Sequence, residues 1–572
     1  MRILGVNASH DASVCVINDG VIEFYAKEER FNRIKRSGGV TNCLRRAHEV
    51  YGSTGIDYAV YAWEAMTGGF GYCESEKEIR KLFGLTYKEP RPFCNSTAFQ
   101  HHDNHASIAF YNSGFEEAIV FVCDRNGSIF FIDVENQCRE ADTVYHCSYP
   151  NNFKVLEKKF WTIKNNSNLI RQYMEPYLNS LGVEEYSYQN MFSLMRVYES
   201  ATTMIGQHPL ENGKTMGLSS YGEDKRYLKL FDDDLNVIDQ HFQKATLENV
   251  GTMEVTCFRD KQNDITHDVT PENYQKYANW AKNVQLETQR VALETIKKHV
   301  ERTGVKNVCI SGGFGLNIVA NANYLKNLPD VNFYFEPLSD DSGIGIGAAM
   351  HLYRQLSKDT KIVTPKDNFY HHYTEKSLDD GIGEEVDIDK LTDLLVDQKS
   401  IAIFEGNPES GPRALGHRSI LFDARSKNGK EIINKLKNRE WYRPFAGIIL
   451  ESFFEEYFHT MELIKSEYMT VNFDCKDGVK NVIPTIVHVD NTCRIQSVSR
   501  ENKFLYNLLS NFYKKTGCPI LLNTSFNLAG KPLIQTKKDA LNFIDEVDCP
   551  EFAGVYFVDD GRLVQKINNF QG

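Results

Sequence analysis

The chain has 572 residues, with 65 Lys and Arg against 77 Asp and Glu and a hydrophobic content of 41%. This length exceeds the roughly 100 to 200 residues of one domain, and the composition excludes a disordered or fibrous protein. The net charge of -12 argues against broad binding to nucleic acid, and the 13 cysteines indicate reduced thiols in a cytoplasmic protein. No run approaches the roughly 18 apolar residues that cross a membrane, so no membrane partner is predicted.

The N-terminal part of the chain predicts short hydrophobic strands joined by polar loops. Strands are predicted at 3–6, 12–18 and 21–26, and a polar loop separates the first two. A second hairpin is predicted at 118–134, with its tip at 124–128. Polar tips between hydrophobic strands indicate loops that present polar groups to a binding site.

Two units of strand, glycine loop and helix follow. The strand 308–310 precedes the loop 311–315 and a helical run at 316–325, and the same order recurs from residue 333 to about residue 356. Glycine loops at helix N-termini let backbone N–H groups approach an anion closely. The pattern therefore predicts an α/β fold that binds phosphate.

A polar stretch at 357–389 is the predicted linker. We place the domain boundary near residue 365, which gives domains at 1–364 and 365–572. The second domain is predicted to contain a strand at 401–404, an arginine-rich run, a helix at 502–515 and a strand at 520–522.

Two histidines, His101 and His105, give the sharpest local signal. On a helix they are spaced i and i+4, about 5 to 6 Å apart on one face, which is close enough to share a metal. Asp124 lies on the predicted hairpin tip and Asp341 in a glycine-flanked loop, so two imidazoles and two carboxylates can meet in one cleft. Such N and O ligands suit Fe(II), Mn or Zn. Solvated or capping histidines are the alternative interpretation.

The arginines of the second domain form the other strong signal. Arg413, Arg418, Arg425, Arg439 and Arg443 lie among glycines and prolines, which indicates a shaped loop for bidentate binding of phosphate or carboxylate. Solvated surface charge is the alternative.

His10 and Asp11 lie in the first loop. An imidazole titrates near neutral pH, so His10 suits a general base for an acceptor hydroxyl. A loop histidine that caps the hairpin is an equally good interpretation of the position alone.

A series of motifs runs through nearly the whole chain. They are GVNASHDAS (5–13), EERFNRIKRSGG (28–39), HHDNHA (101–106), GKTMGLSSYG (213–222), GGFGLN (312–317), DSGIGIGAA (341–349), GPRALGHRSIL (411–421), REWYRPFA (439–446), HVDNTCRIQSV (488–498) and LLNTSFNLAGKPLIQT (521–536). In this order they resemble the NodU/CmcH-type O-carbamoyltransferase family.

The resemblance implies a two-domain α/β enzyme. Residues 1–364 would have the actin-like, sugar-kinase-type ATPase fold that the tRNA threonylcarbamoyl transferases also use, and would bind a metal and the nucleotide. Residues 365–572 would form a YrdC-like α+β domain, where carbamoyl phosphate and ATP give carbamoyl-adenylate. The carbamoyl group would then move internally to the first domain and to an acceptor hydroxyl.

The resemblance also implies residue roles, motif by motif. The implied metal ligands are His101, His105, Asp124 and Asp341, with Fe(II) as the first choice and Mg, Mn or Zn as alternatives. The implied catalytic residues are His10, Asp11, Lys437 and Arg494. The implied residues for the nucleotide and carbamoyl phosphate are Gly312, Gly313, Asn317, Asn321, Arg413, Arg418, Arg439, Arg443 and Asn523.

The sequence leaves the acceptor and some contacts open. A hydroxylated small metabolite, such as an antibiotic or a sugar-type scaffold, is the default acceptor, and a hydroxymethylated pyrimidine in a nucleotide or in DNA is the alternative. The one basic run that we would test for DNA is Lys154, Lys158, Lys159, Lys164 and Arg171. A nucleotide-binding regulator without transferase activity is a candidate from another class, and the sequence is silent on a homo-oligomer. The chain departs from the family pattern at Asn407, His417, Ala424 and Lys531.

Overall fold

The computed structural model describes ten stretches of the chain, which form two compact units. The described residues are 1–62, 70–86, 88, 100–131, 137–162, 167–190, 192–226, 228–242, 269–362 and 381–565. The first unit contains 1–28 and 37–362 of these, and the second unit contains 29–36 and 381–565. The predicted boundary at residues 364 and 365 lies outside the described residues and stays a prediction.

Four strands of the described residues form the first sheet. They are β1 (Arg2–Asn7), β2 (Ser13–Asn18), β3 (Val21–Lys27) and β4 (Tyr58–Tyr61). The order is β3-β2-β1-β4: the first three strands run antiparallel, and β4 is parallel to β1. The predicted N-terminal strands are confirmed. A one-turn helix, α1 (Glu28–Asn32), follows β3.

Seven further strands of the described first unit form the second sheet. They are β5 (Glu117–Cys123), β6 (Ile129–Phe131), β7 (Gln137–Ser148), β8 (Asn152–Thr162), β9 (Glu185–Asn190), β10 (Asn307–Ser311) and β11 (Asn332–Phe335). The order is β11-β10-β5-β7-β8-β9. An antiparallel run, β5-β7-β8, adjoins the parallel strand β10, so the topology of the first sheet recurs. This repetition agrees with the predicted actin-like fold.

The predicted hairpin at 118–134 is wrong in its pairing. Strands β5 and β6 do not pair with each other; both pair with β7, through Cys123↔Asp142 and Ile129↔Arg139. With 12 residues, β7 is long enough to accept both partners end to end. The residues 124–128 therefore connect two strands on the same side of β7, and residues 132–134 lie outside the described residues.

The helices of the first unit cover both sheets. After α1, those in the described residues are α2 (Thr41–Tyr51), α3 (Phe70–Phe83), α4 (Gln100–Ser113), α5 (Ser167–Ser180), α6 (Leu194–Met204), α7 (Asn212–Ser219), α8 (Tyr274–Thr303), α9 (Ile318–Asn327) and α10 (Ile344–Ser357). Helix α10 packs against both α4 and β1. A Cβ on Gly347 would lie 1.9 Å from the carbonyl oxygen of Asn104, so only glycine lets α10 approach α4 this closely.

Glu336 anchors the end of β11 to the loop that carries Asp341. Its Oε1 accepts a hydrogen bond from the backbone N–H of Leu338 at 2.8 Å, and its Oε2 accepts one from Asn112 Nδ2 at 3.0 Å. Burial raises the pKa of this carboxyl group to about 7, against the lowering effect of these hydrogen bonds. The native state therefore binds a proton at a pH where the unfolded chain has lost it.

We expect Glu336→Gln to flatten the pH dependence of stability. The contribution of Glu336 is fully present below the pKa of the unfolded carboxyl group and is lost as the pH rises through about 7. We compare the free energy of unfolding of the variant with that of the wild type. This difference should shift in favour of the variant by on the order of 2 kcal/mol between pH 5 and pH 8.5. Asn112 Oδ1, which has no hydrogen-bond partner among the described residues, can accept from the new amide. Urea unfolding at both pH values measures the effect, and the exposed Glu301→Gln should show none.

The second unit is built on one mixed sheet. Its strands, within 381–565, are β12 (Glu384–Glu385), β13 (Ser400–Phe404), β14 (Arg418–Asp423), β15 (Ala446–Leu450), β16 (Phe458–His459), β17 (Asn472–Cys475), β18 (Thr492–Val498), β19 (Ile520–Ser525), β20 (Phe552–Phe557) and β21 (Arg562–Val564). They lie in the order β12-β21-β20-β13-β14-β19-β15-β18-β17-β16. The pairs β13-β20 and β15-β18 are parallel, and the other pairs are antiparallel.

Helices pack on this sheet and complete the predicted α+β unit. They are α11 (Ile388–Val396), α12 (Gly429–Lys437), α13 (Phe454–Tyr457), α14 (Val479–Val482), α15 (Lys503–Thr516) and α16 (Lys537–Glu546). Phe543 and Ile544 of α16 join Ala402, Ile420 and Val555 in a buried apolar cluster. The cysteines that the structure describes in both units are buried and form no disulfide, as predicted.

Candidate functional site

The structure brings the four predicted metal ligands together in the first unit. Helix α4 presents His101 and His105 on one face, with their ring centroids 4.9 Å apart. Asp124 follows β5 directly, and Asp341 begins a 3-10 turn before α10. One ligand atom from each of these residues lies within 4.8 Å of the others. We call these residues the ligand quartet.

The quartet is buried and its donors match a cation. His101 Nε2 lies 3.3 Å from Asp124 Oδ2, and His105 Nε2 lies 3.4 Å from Asp341 Oδ1. Burial raises the pKa of Asp124, but the hydrogen bond from His101 and the nearby charge of His105 outweigh it and hold the pKa well below its usual range. Neither ring nitrogen of His105 has a hydrogen-bond partner among the described residues. Two imidazole and two carboxylate donors, one of the imidazoles buried without a hydrogen bond, fit a divalent metal such as Fe(II), Mn or Zn.

His10 and Asp11 lie beside the quartet. His10 Nδ1 is 3.2 Å from Asp11 Oδ2, and His10 Nε2 is 3.2 Å from Asp341 Oδ2. Asn7 fixes this loop, because its Nδ2 donates to the carbonyl oxygens of Asp341 at 2.9 Å and of His10 at 3.2 Å. The His10 side chain is 31% exposed, whereas both quartet imidazoles are fully buried. The loop therefore offers an imidazole to solvent at the edge of the quartet.

The glycine loop that precedes α9 also touches the quartet. The backbone N–H of Gly313 donates to Asp124 Oδ1 at 3.0 Å. Asn317 caps α9 by accepting from the N–H of Ala320 at 3.1 Å, and Asn321 Nδ2 donates to the carbonyl oxygen of Gly315 at 2.8 Å. Both asparagines are buried and hold the loop from inside. Their predicted contacts with a nucleotide stay predictions.

Gly312→Ala is expected to displace this loop from Asp124. Gly312 has a φ of 82°, and an added Cβ would lie 2.3 Å from the carbonyl oxygen of Cys123. We expect metal and nucleotide binding to weaken by about tenfold or more, as for the loss of an outer-shell partner of a metal ligand. Calorimetry with nucleotide and metal analysis measure the change.

The control for this substitution is Gly304→Ala. Gly304 has a similar φ of 74° at the end of α8, but nothing lies within 4 Å of an added Cβ. It should lose stability through its backbone conformation and keep its ligands. Equal binding losses in both variants would mean that backbone strain, and not the position of the loop, governs binding.

A buried ion pair that the sequence analysis missed supports the loop after Asp124. Glu140 Oε1 lies 2.5 Å from Lys158 Nζ, and its Oε2 accepts from the N–H of Ser128 at 2.8 Å. The carbonyl oxygen of Glu140 also accepts from the N–H of Gly127 at 3.0 Å. Each of these two strands carries several charged residues, so the sequence gives no signal that singles out this pair.

The basic run at 154–171 is partly buried, with Lys154 and Arg171 exposed among its described residues. Lys158 and Lys159 are buried, and Lys159 Nζ lies 3.6 Å from Glu157 Oε1. Lys154 pairs with Glu184. Lys164 lies outside the described residues. Consecutive residues of a strand face opposite sides, so Lys158 and Lys159 are buried on opposite faces of β8, whereas the side chain of Lys154 is 54% exposed.

Four arginines of the second unit, Arg413, Arg439, Arg443 and Arg494, form a cluster. Burial and then the charges of Arg413 and Arg443 lower the pKa of Arg494 well below its usual value. The pKa of Arg439 is also well below its usual value, mainly because of burial and secondly because of the charges of Arg443 and Arg494. Arginine stays protonated in proteins, so these shifts express a repulsion that a bound anion would relieve. Among the described residues, Nε of Arg439 and Nε of Arg494 are buried without a hydrogen-bond partner.

Asn523 lies next to this arginine cluster in the sheet. Arg494 of β18 and Asn523 of β19 both stand opposite Ala446 of β15, so their side chains share one face. Asn523 Nδ2 donates to the carbonyl oxygen of Ala414 at 3.1 Å, and its buried Oδ1 has no hydrogen-bond partner in the described chain. The amide thus joins the sheet to the loop that carries Arg413.

Lys437 and Arg418 hold loops together. Lys437 Nζ donates to the carbonyl oxygen of Asn527 at 2.8 Å and to Asn527 Oδ1 at 3.0 Å. Burial and then Arg439 and Arg443 lower the pKa of Lys437 well below its usual value, so it lies near the arginine cluster. Arg418 is buried against the ring of Phe404 and donates to the carbonyl oxygens of Glu405, Gly406 and His417. Their predicted catalytic and binding roles stay predictions.

Glu409 organises the same loop and was missed in the sequence. Its Oε1 accepts from the N–H groups of Leu415 at 2.6 Å, His417 at 3.0 Å and Arg418 at 3.3 Å. A glutamate just before a Gly-Pro-Arg turn is the signal that could have identified it, since a buried carboxylate can satisfy several loop N–H groups at once.

Two family models match the chain. The model described as Carbamoyltransferase N-terminus matches residues 75–350, and Carbamoyltransferase C-terminus matches residues 392–553. The chain belongs to the carbamoyltransferase family. The carbamoyltransferase is 26% identical to the uncharacterized protein sll1178 of Synechocystis, over 94% of this chain and 93% of that protein. It is 25% identical to the nodulation protein NolNO of Sinorhizobium fredii, over 93% of this chain and 76% of that protein.

A solved structure is also similar. The crystal structure of HypF from T. kodakarensis matches with 11% identity and a TM-score of 0.38. The match covers 62% of the carbamoyltransferase and 48% of the HypF chain, so it spans about half of that protein. In the described part of the carbamoyltransferase, no helix combines the length and the apolar character that crossing a membrane requires.

The residues that depart from the family pattern have partners within the second unit. In this carbamoyltransferase His417 Nδ1 lies 2.6 Å from the carbonyl oxygen of Asn407, so two of the departures contact each other. Lys531 pairs with Glu546 at 2.6 Å in an exposed position, and Ala424 is buried. Residues 407 and 417 therefore contact each other through the backbone of Asn407, within the loop 405–417 between β13 and β14, which we call the arginine loop.

Proposed function

We propose that this carbamoyltransferase is an ATP-dependent O-carbamoyltransferase. In the second unit, carbamoyl phosphate, ATP and one water give carbamoyl-adenylate, phosphate and pyrophosphate. In the first unit, the carbamoyl group of the adenylate passes to an acceptor hydroxyl, with AMP as the leaving group. The division into activation and transfer replaces one difficult step by two easier ones.

The observation that carries the proposal is the cluster of Arg413, Arg439, Arg443 and Arg494. The repulsion among these guanidinium groups and the buried Nε atoms of Arg439 and Arg494 favour a bound anion, and two phosphate-bearing substrates supply it. A nucleotide-binding regulator would have no use for a second anion site of this kind, so this alternative is less well supported. Guanidinium groups also stabilise the charge that develops on a departing phosphate.

The transfer step rests on the residues around His10. Asp11 accepts from Nδ1 of His10 in the tautomer that leaves Nε2 as the base. The proton of the acceptor hydroxyl moves to Nε2, and Asp341 and Asp11 then flank the imidazolium. The quartet would hold a divalent cation, for which Fe(II) is our choice, and this cation would polarise a nucleotide phosphate as a Lewis acid.

For the acceptor we propose a hydroxylated small molecule. The basic run that motivated a test for DNA is largely buried or paired, as Lys158 and Lys154 illustrate. The net charge of -12 adds an unfavourable field for a polyanion. A hydroxymethylated nucleotide remains the second candidate. Mass spectrometry of candidate acceptors for the gain of one CONH unit distinguishes the two.

The decisive experiment is pyrophosphate release by the wild-type protein. Incubation with ATP and carbamoyl phosphate should release pyrophosphate without any acceptor, and leaving out carbamoyl phosphate should stop it. Nucleotide binding without pyrophosphate release would contradict the proposal and favour the regulator.

A further inference from the structure

Residues 29–36 belong to the second unit, although the first unit surrounds them in the sequence. We call Glu29–Arg36 the inserted segment. It follows the end of β3, and its arginines Arg30 and Arg33 both donate hydrogen bonds to backbone carbonyl groups of the second unit. No role has been assigned to it so far.

Arg30 fixes the start of the arginine loop. Its Nη2 donates to the carbonyl oxygens of Glu409 at 3.2 Å and of Gly411 at 3.4 Å. Gly411 lies two residues before Arg413 in the sequence. Glu409 is thus held twice, by Arg30 through its backbone and by three loop N–H groups through its carboxylate.

Arg33 fixes the loop that follows β19, the strand of Asn523. Its Nη1 donates to the carbonyl oxygen of Leu533 at 2.7 Å, and its Nη2 donates to that of Pro532 at 3.1 Å. The next residue, Ile534, donates its N–H to the carbonyl oxygen of Phe526 at 3.1 Å. The inserted segment therefore holds both loops that border the arginine cluster.

The burial of Arg30 is not explained by stability. The residue is 3% exposed, and its Nε and Nη1 have no hydrogen-bond partner among the described residues. Glu29 Oε1 lies 3.5 Å from its Nε. A buried charge with incomplete pairing costs free energy, and an apolar side chain of similar length would often serve stability as well or better. The position of Arg30 is better explained by what it holds in place.

We infer that Arg30 is a positioning residue of the activation site, so that anion binding in the second unit depends on a residue of the N-terminal segment. The inference rests on the proposed function, because that function gives the anion site its role. Its test needs only a measurement of anion binding. Without Arg30 the carbonyl groups of Glu409 and Gly411 lose their donor, and the loop can move Arg413 away from the other arginines.

The test compares the full-length wild type with Arg30→Met. We expect the variant to keep its melting temperature and to bind inorganic pyrophosphate about tenfold or more weakly in calorimetry. Pyrophosphate release should show a raised KM for carbamoyl phosphate with a smaller change in kcat. Amide hydrogen exchange should rise at residues 409–418. Arg30→Lys, which keeps the charge, should lie between the two.

Two outcomes separate this inference from the proposed function. Equal pyrophosphate affinity in the wild type and Arg30→Met overturns the inference, whatever the activity. If the wild type binds pyrophosphate but does not produce it from ATP and carbamoyl phosphate, the proposed function is contradicted. The comparison of pyrophosphate affinities would still test the role of Arg30. The exposed Arg45→Met, in α2 of the first unit, is the control and should change neither quantity.

Discussion

Replacing His101 and His105 together by alanine is expected to remove the metal and to reduce carbamoyl transfer to the acceptor by at least about a hundredfold. The double variant deletes both nitrogen donors of the quartet and leaves only Asp124 and Asp341. Pyrophosphate release from ATP and carbamoyl phosphate should persist, because the quartet belongs to the first unit and the arginine cluster to the second. Mass spectrometry of the metal content and the two half-reactions, assayed separately, measure these effects.

The matched control is His299→Ala. His299 is also a buried imidazole of the first unit, and its Nε2 lies 2.8 Å from Glu157 Oε2, outside the quartet. It should destabilise the same unit and keep the metal. An unchanged metal content in the double variant would refute the assignment of these histidines as ligands.

Arg494→Ala is expected to stop formation of carbamoyl-adenylate. Loss of one charged partner of a buried ionic contact costs roughly 2 to 5 kcal/mol, so pyrophosphate release should fall by about a hundredfold or more. The protein itself should not become less stable, because Arg413 and Arg443 repel Arg494 in the absence of an anion. Loss of activity without loss of the melting temperature is the combined result that identifies a ligand-binding arginine.

The exposed Arg500→Ala is the control for this substitution. Arg500 follows the same strand, β18, and lies over the ring of Tyr506 away from the arginine cluster. It should retain full pyrophosphate release. If Arg494→Ala blocked only the transfer of the carbamoyl group, its role would belong to the second step.

Local patterns were sufficient for the elements that carry the site. The strands β1 to β3 are short hydrophobic runs, with a polar loop between β1 and β2 and a two-residue turn between β2 and β3. The helix around His101 places the two histidines at i and i+4. The glycine loop before α9 was predicted because a strand, glycines and a helical run follow one another. These features depend on neighbours in the sequence, so the sequence alone reveals them.

Contacts between distant segments were not predictable in this way. The pairing of β6 with β7 depends on the length of β7, and the Glu140 and Lys158 pair depends on the register of two strands. Asn317 and Asn321 were correctly placed at the glycine loop, yet their orientation toward the interior depends on packing against Gln285 and Gly315. The same holds for the inserted segment, whose polar sequence does not indicate which unit it joins.

The inserted segment also limits how the gene could be divided. A chain cut between the two units would give a C-terminal product without Arg30 and Arg33, and therefore without the donors for Glu409 and Leu533. Gene fission at the linker would leave a second unit without these two donors unless residues 29–36 moved with it. Expression of the two halves as separate polypeptides should thus yield an active C-terminal partner only when this short segment is grafted onto it.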